Sequence, residues 1–141
     1  MFLLDTEPIG ILQWQTQPQL SRLLGRMRQH PQTAFWFSVV SFQEQVLGAN
    51  NYISRARRPA GIIHGYRLLQ KVLTMFAGAQ VLPFDQAASD TFDQLRSQGV
   101  RIGTMDLRIA AIALARGLVV LTRNLADFRR VPGLTAEDWT V

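Results

Sequence analysis

The sequence predicts an α/β fold with a central, mainly parallel sheet flanked by helices. Three observations predict it. Short apolar runs without alternation, FLL at 2–4 and LVVL at 118–121, read as strands buried on both faces, as parallel sheets require. Apolar residues three and four apart, such as Leu20, Leu23, Leu24 and Met27, read as a helix laid over such a sheet. The two kinds of segment alternate along the chain, and in such sheets ligands bind beyond the carboxyl ends of the strands.

The elements follow in order. Met1–Leu4 is the first strand, ended by Asp5, and Pro18 to about His30 is a helix. Ala34–Val40, rich in aromatic and β-branched residues, is the second strand, after which Ser41 opens a helix carrying Phe42, Val46 and Leu47. Asn50–Pro59 (NNYISRARRP) is the most basic and least periodic stretch, expected to be an irregular link to a longer helix from about Ala60 to Phe76. Ala79–Leu82 is a short strand, and Asp85 is placed to cap a helix with Ala88, Phe92 and Leu95 inside. Met105–Arg116, dense in alanine, is a helix closed by Gly117. After the strand Leu118–Leu121, Thr122–Asn124 turns into a short last helix.

A chain of 141 residues suits one domain, expected to span 1–141, whose core needs neither disulfide nor structural metal. With 48% hydrophobic and 18% charged residues it is not a disordered chain, and the low charge fraction hints at a surface covered by a partner. The lack of cysteine excludes disulfide scaffolds, thiolate zinc sites and cysteine nucleophiles. Asp5 interrupts the apolar run after Met1 and no stretch has the length of a bilayer span, so a cytoplasmic location without membrane contact is expected. The net charge of +5 rests on 15 basic residues, all arginine except Lys71. The planar guanidinium fork suits phosphate, compatible with nucleic-acid binding, and general solubility is the equal alternative.

Chemistry concentrates where the strands end. Asp5 closes the first strand, and Glu44 lies one helical turn past the second. Asp106 sits in the first turn of the alanine-rich helix, and Asn124, with Asp127 a turn on, follows LVVL. In a parallel sheet these distant positions can converge on one edge. Carboxylates sharing a cleft repel each other unless a cation sits among them. Oxygen-only ligands suit magnesium or manganese rather than zinc. Such an ion polarises phosphoryl oxygens, which makes phosphodiester hydrolysis the natural reaction class. Each residue alone has a plainer reading. Ser41-x-x-Glu44 matches a capping box, Asp106 suits a helix dipole and Asn124-x-x-Asp127 matches a cap. Asp5, directly after a buried strand, has no such structural gain, and the set says more than any member.

FLLDT resembles the opening of PIN-domain proteins, an apolar strand ending in Asp-Thr. SVVSFQEQVLGA resembles the stretch that carries their second acid, with Glu44 at the matching place. IGTMDLRIAAIALARGLVVLTRNLADFRRVPGLTAEDW resembles the VapC-type pattern of Asp, Ile-Ala-Ala, an apolar strand, Thr-x-Asn, Asp-Phe, Pro-Gly-Leu and a closing Asp-Trp. The resemblance runs from Met1 to Trp139, with Gln13–Phe35 and Asn50–Val100 alike only in length and character.

The resemblance implies a PIN-like fold and a Mg²⁺- or Mn²⁺-dependent endoribonuclease. In the family this is a toxin that cuts transfer RNA or a ribosomal RNA loop and so stops translation. It implies that Asp5, Glu44 and Asp106 hold the metal, that Thr6 and Thr122 support the site, and that Asn124 or Asp127 supplies a fourth position. Water would attack the scissile phosphate in line, leaving a 5′-phosphate and a 3′-hydroxyl. Many relatives carry aspartate where this chain has Asn124, so weaker metal binding is expected. Glu7, where relatives carry asparagine or serine, either adds a carboxylate near the cleft or points to solvent. The implied partners are an RNA substrate, a VapB-like antitoxin whose C-terminal segment covers the site, and a second copy in a homodimer. DNA is reached only through the antitoxin. Arg108 and Arg123, beside the acids in sequence, and Arg55, Arg57 and Arg58 in the basic stretch are candidates for gripping RNA. Trp14 and Tyr52 either stack on bases or belong to the core.

Three other classes compete. A catalytically silent PIN-like module that binds RNA or a partner would have no need of a repulsive acid cluster. A phosphatase with an aspartate nucleophile needs a second aspartate where this chain has Glu7, and a lysine nearer than Lys71. A DNA-binding regulator lacks its helix-turn-helix signature, and phosphate-binding glycine loops and nucleophile elbows are missing too.

Overall fold

Leu3 and Leu4, adjacent in the chain, belong to different apolar layers, because successive side chains of a strand point to opposite faces of its sheet. The strand is β1 (Phe2–Leu4) in a computed structural model that describes residues 1–141. The others are β2 (Phe35–Ser38), β3 (Val81–Leu82), β4 (Val119–Leu121) and β5 (Ala136–Glu137). They form one five-stranded sheet in the order β3-β2-β1-β4-β5, parallel at every pairing. Phe2 lies opposite Phe35 on one side and Val119 on the other, which fixes the register of the centre.

Seven α-helices cover the sheet: α1 (Thr6–Trp14), α2 (Gln19–Met27), α3 (Val39–Arg55), α4 (Pro59–Ala77), α5 (Gln86–Ser97), α6 (Thr104–Arg116) and α7 (Leu125–Phe128). Leu3 and Val120 pack with Leu95 of α5, with Leu107, Ile109 and Ile112 of α6, and with Phe128. On the opposite face Leu4, Phe37 and Leu121 pack with Ile9 of α1, Leu23 of α2, and Val72 and Phe76 of α4. Three of the four alanines of α6, Ala110, Ala111 and Ala113, are 0% exposed, so small residues let that helix lie close to the sheet. Asp85 caps α5 by accepting from Ala88 N–H (3.0 Å), and Gly117, at φ 67°, closes α6 in the left-handed region that favours glycine. No helix is long and apolar enough to cross a membrane.

The structure departs from the sequence expectations in four places. α1 was not among the expected helices, and it contains Pro8 and Gly10. Pro8 falls in the first turn, whose N–H groups have no partner within the helix, so nothing is lost there. α3 opens at Val39 rather than Ser41, with Ser38 Oγ accepting from Ser41 N–H (3.1 Å). Its last turns occupy Asn50–Arg55, expected to be irregular, and leave only Ala56–Arg58 as the link. Packing explains this extension: Ile53 lies so close to Gly65 of α4 that no Cβ would fit there. Finally, β5 is a two-residue edge strand, too short for any sequence pattern.

Candidate active site

The site lies at the carboxyl ends of β1 and β4, the central strands between which the connections switch direction. Asp5 follows β1, its N–H donating to Leu121 O on β4 (2.9 Å). Its side chain is turned inward and the residue is only 6% exposed. Oδ1 accepts from Thr6 N–H (2.8 Å) and Oδ2 from the Thr122 hydroxyl (2.9 Å). Asp5 therefore has a structural gain after all, as the cap of a helix that the sequence did not reveal.

From Asp5 a hydrogen-bonded chain runs both ways. The Thr6 hydroxyl donates to Glu44 Oε1 (2.8 Å) and stands 3.1 Å from Ser41 Oγ. Thr122 Oγ1 accepts from Asn124 N–H (2.9 Å), and Asn124 Nδ2 donates to Asp127 Oδ2 (2.9 Å) and, more weakly, to Asp106 Oδ2 (3.3 Å). All five acid and amide positions singled out in the sequence thus belong to one network, with Thr6 and Thr122 as its links. Two plainer readings fall away. Ser38, not Ser41, caps α3, so Glu44 is not part of a capping box. Asn124 stands at the start of α7 but makes no side-chain capping bond. Ser41, which the sequence offered only as a helix start, is a further polar group beside Thr6, and no motif announced it.

Electrostatics set these acids against one another. Burial pushes the Asp5 carboxyl up to about 6, and the charges of Asp106 and Glu44 add to the rise while hydrogen bonds from Thr6 and Thr122 oppose it. Burial also lifts Glu44, with Asp106 adding to it and Thr6 opposing. Asp106 is lifted by burial and by Asp127, against the bond from Asn124. Three half-buried or buried carboxylates that each resist ionisation form a donor set that a hard divalent cation would relieve. No three acids or histidines yet stand close enough together to ligate one ion, and two of them are engaged with Thr6 and Asn124. The donor chemistry of these carboxylates fits such an ion.

The basic candidates divide into two groups. Arg123 Nη1 pairs with Glu7 Oε1 (3.2 Å) at the exposed rim, so Glu7 points to solvent rather than into the acid cluster. Arg108 lies over the Phe92 ring (5.8 Å to its centroid) and lines a groove with Val39, Val40 and Phe42. Arg55, Arg57 and Arg58 gather at the far end of α3, in a cleft of about 610 Å³ with Tyr52. Arg55 lies eleven helical steps beyond Glu44, about 16 Å along α3. Trp14 and Tyr52 are 46% and 43% exposed, which removes both from the core.

The PIN domain family matches residues 4–134. The tRNA(fMet)-specific endonuclease VapC of Salmonella typhimurium is 32% identical over 106 residues, 72% of this chain and 73% of that protein. A VapC ribonuclease of Sinorhizobium fredii is 36% identical over 91% of this chain and 90% of its own. Among solved structures, a chain of the DNA-bound VapBC complex from Salmonella typhimurium is similar at a TM-score of 0.76 and 29% identity. That likeness covers 98% of this chain and 97% of the other.

Proposed function

The chain belongs to the PIN-domain family, in its VapC branch, and from that premise we propose that it is a divalent-metal-dependent endoribonuclease, the toxin of a toxin–antitoxin pair. The observation that carries this reading is the single network joining Glu44, Thr6, Asp5, Thr122, Asn124, Asp106 and Asp127. Asp5, Glu44 and Asp106 would hold Mg²⁺ or Mn²⁺, which when bound supplies Lewis-acid stabilisation of charge on a phosphodiester. Thr6 holds the Glu44 carboxylate and Thr122 that of Asp5, fixing their directions. Asn124, whose amide donates to both Asp106 and Asp127, would with Asp127 orient the attacking water. Its oxygen forms a bond to phosphorus in line with the bond to the 3′ oxygen, which breaks and leaves a 5′-phosphate and a 3′-hydroxyl. Arg123, at the rim, contacts a flanking phosphate when it leaves Glu7.

The proposed substrate is transfer RNA, which two relatives are named for, or a ribosomal RNA loop, as the resemblance to VapC-type toxins implies, with translation halted by the cut. A VapB-like antitoxin is the proposed protein partner, since structural relatives belong to VapBC systems, a family of toxin–antitoxin systems. Phe42, Val46, Tyr66, Leu69 and Leu73 line an apolar groove of about 290 Å³ between α3 and α4, suited to an apolar partner segment. DNA is contacted through that partner, and the chain pairs with a second copy as a homodimer in the cytoplasm. A catalytically silent module of the same fold is the competing reading, favoured by the spacing of the acids, no three of which can yet share an ion. Against it stands the stability lost by burying three mutually repelling carboxylates, which a module without chemistry would shed.

The test is incubation of partner-free protein with total transfer and ribosomal RNA in Mg²⁺ or Mn²⁺, with and without EDTA, beside Asp5→Asn. Discrete fragments are expected, lost in EDTA and reduced in the variant by 10²–10³-fold, roughly the effect of removing one transition-state-stabilising group. Full cleavage by Asp5→Asn and Asp106→Asn would sink the site assignment. No cleavage with either ion leaves the silent module.

A further inference from the structure

Between Glu44 and Asp85 the chain has no acidic residue but carries Arg55, Arg57, Arg58, Arg67 and Lys71, which together equal the net charge of +5. The rest of the chain is balanced. This surplus lies on α3, on α4 and on the link between them, and one face of α3 runs from it to Glu44. Glu44, Gly48, Asn51 and Arg55 follow each other four, three and four residues apart, a single helical stripe. Gly48 and Asn51 line the arginine cleft. Gly48 also lines a second, smaller pocket of about 190 Å³ with Gln13, Trp14 and Gln45, next along the same helix toward Glu44. The two hollows meet at Gly48 and run along α3 from the arginine end to Gln45, the neighbour of Glu44.

Its lining has three features that the fold does not explain. Both amide atoms of Gln13 are buried without a hydrogen-bond partner, an expensive state for a group that can donate and accept at once. Gly48 sits in the middle of a helix, facing open space, where alanine would fit and be the better helix former. The three arginines make no ion pair. We propose that this groove along α3 is a binding track for a single-stranded segment of RNA leading away from the cut. Phosphates lie on Arg55, Arg57 and Arg58, the chain passes close over Gly48, and one base is read in the Gln13 pocket. Single-stranded RNA supplies anionic phosphates for the arginines, base edges that pair with the Gln13 amide, and bases to stack beside the exposed Trp14 and Tyr52. The Lys71 ammonium, 4.5 Å from the centre of the Trp14 ring, extends the positive rim over the pocket.

The inference rests on the nuclease reading for where the RNA is cut, so binding is measured apart from cutting. Fluorescence anisotropy of a labelled, unstructured 12-nucleotide RNA is followed in Asp5→Asn protein, alone and combined with Arg55→Ala/Arg57→Ala/Arg58→Ala or with Gly48→Glu. Affinity should fall at least tenfold in both combinations. In the triple variant the slope of log affinity against log salt should drop by about two, at roughly 0.7 per lost phosphate contact. Gly48→Glu should meanwhile raise the melting temperature, which separates blocked binding from a damaged fold. A control of the same charge change elsewhere, Arg28→Ala/Arg96→Ala/Arg101→Ala, should keep its affinity within about twofold. Equal loss in that control, or unchanged affinity in both track variants, overturns the track. So does a triple variant that dissociates a dimer in light scattering, since the arginine end would then be a contact between copies. Wild-type protein that cuts RNA while the track variants bind normally would sink the track alone. Arginine-dependent binding by a protein that never cuts would sink the nuclease reading alone.

Discussion

Asp5 directly follows Leu4, and Asp106 directly precedes Leu107, yet the acid edge and the apolar layers behind it act on stability in opposite directions. Leu4 and Ile109 are 0% exposed and Leu107 is 4% exposed, each among apolar partners. One residue away, Asp5 is almost as buried, at 6%, and carries a charge that burial and two other acids oppose. The difference teaches that the same strand ends and helix starts deliver both regions, and that the core holds the acids where they would not gather by themselves. Four ways to break or sharpen that comparison follow, in order of expected effect.

On the core side, Ile109→Ala should lower unfolding free energy by about 3 kcal/mol, the middle of the range for a buried Ile cut to Ala. Urea unfolding measures it. A loss below about 1 kcal/mol would mean that the α6 layer closes around the gap and is not what holds the site in place.

On the acid side the sign reverses. Asp5 binds its proton more tightly in the folded state, with its carboxyl near 6, than in the unfolded chain. Its contribution is therefore most favourable below about pH 4, is lost as pH rises from about 4 to 6, and stays at its least favourable above that. In EDTA the wild type should lose on the order of 2 kcal/mol across that window from this group. Asp5→Asn should remove this group's part of the slope, leaving that of Glu44 and Asp106, and be the more stable protein at pH 7.5, while losing activity. Thermal melts at pH 4.5, 6 and 7.5 decide it. A variant less stable than wild type at pH 7.5 would show that the bonds from Thr6 and Thr122 outweigh desolvation.

The sequence and the structure agree best where a pattern is local. The apolar runs at 2–4 and 118–121 are central strands because an all-apolar run suits only a strand covered on both faces. Asp85 and Gly117 were legible as caps because capping is chemistry within one turn. The last turns of α3 were not legible, because Asn50–Arg55 is held helical by Ile53 against Gly65, a contact absent from local periodicity. Asp5, Glu44, Asp106, Asn124 and Asp127 were nameable from their places after strands and from a family resemblance. Their links were not, since a threonine next to an aspartate does not announce a bond to a glutamate 38 residues away.

Thr6 tests those links at the next scale down. Thr6→Val removes the donor to Glu44 and keeps the shape, so activity should fall about 10- to 100-fold, as when an outer partner of a metal ligand is lost. Stability should change by only about 1 kcal/mol. Thr6→Ser keeps the hydroxyl and should recover most of the rate, and the Mg²⁺ concentration giving half-maximal activity should rise in the valine variant alone. Equal metal requirements in both variants would leave Thr6 as packing beside the site.

The smallest effect belongs to the rim. Glu7 and Arg123 are both exposed and pair at 3.2 Å, a bond that contributes little because water screens it. Glu7→Gln should therefore leave stability within about 0.5 kcal/mol. It frees Arg123 from its only ion pair, so the guanidinium no longer exchanges a carboxylate for a phosphate when RNA arrives. KM should fall about two- to threefold at low salt, the equivalent of about 0.5 kcal/mol, with kcat unchanged. The gain should vanish at high salt, where exposed charges are screened within about 3 Å. A KM that rises instead, together with a higher metal requirement, would place Glu7 among the acids that gather the ion and move the boundary between rim and site inward by one residue pair.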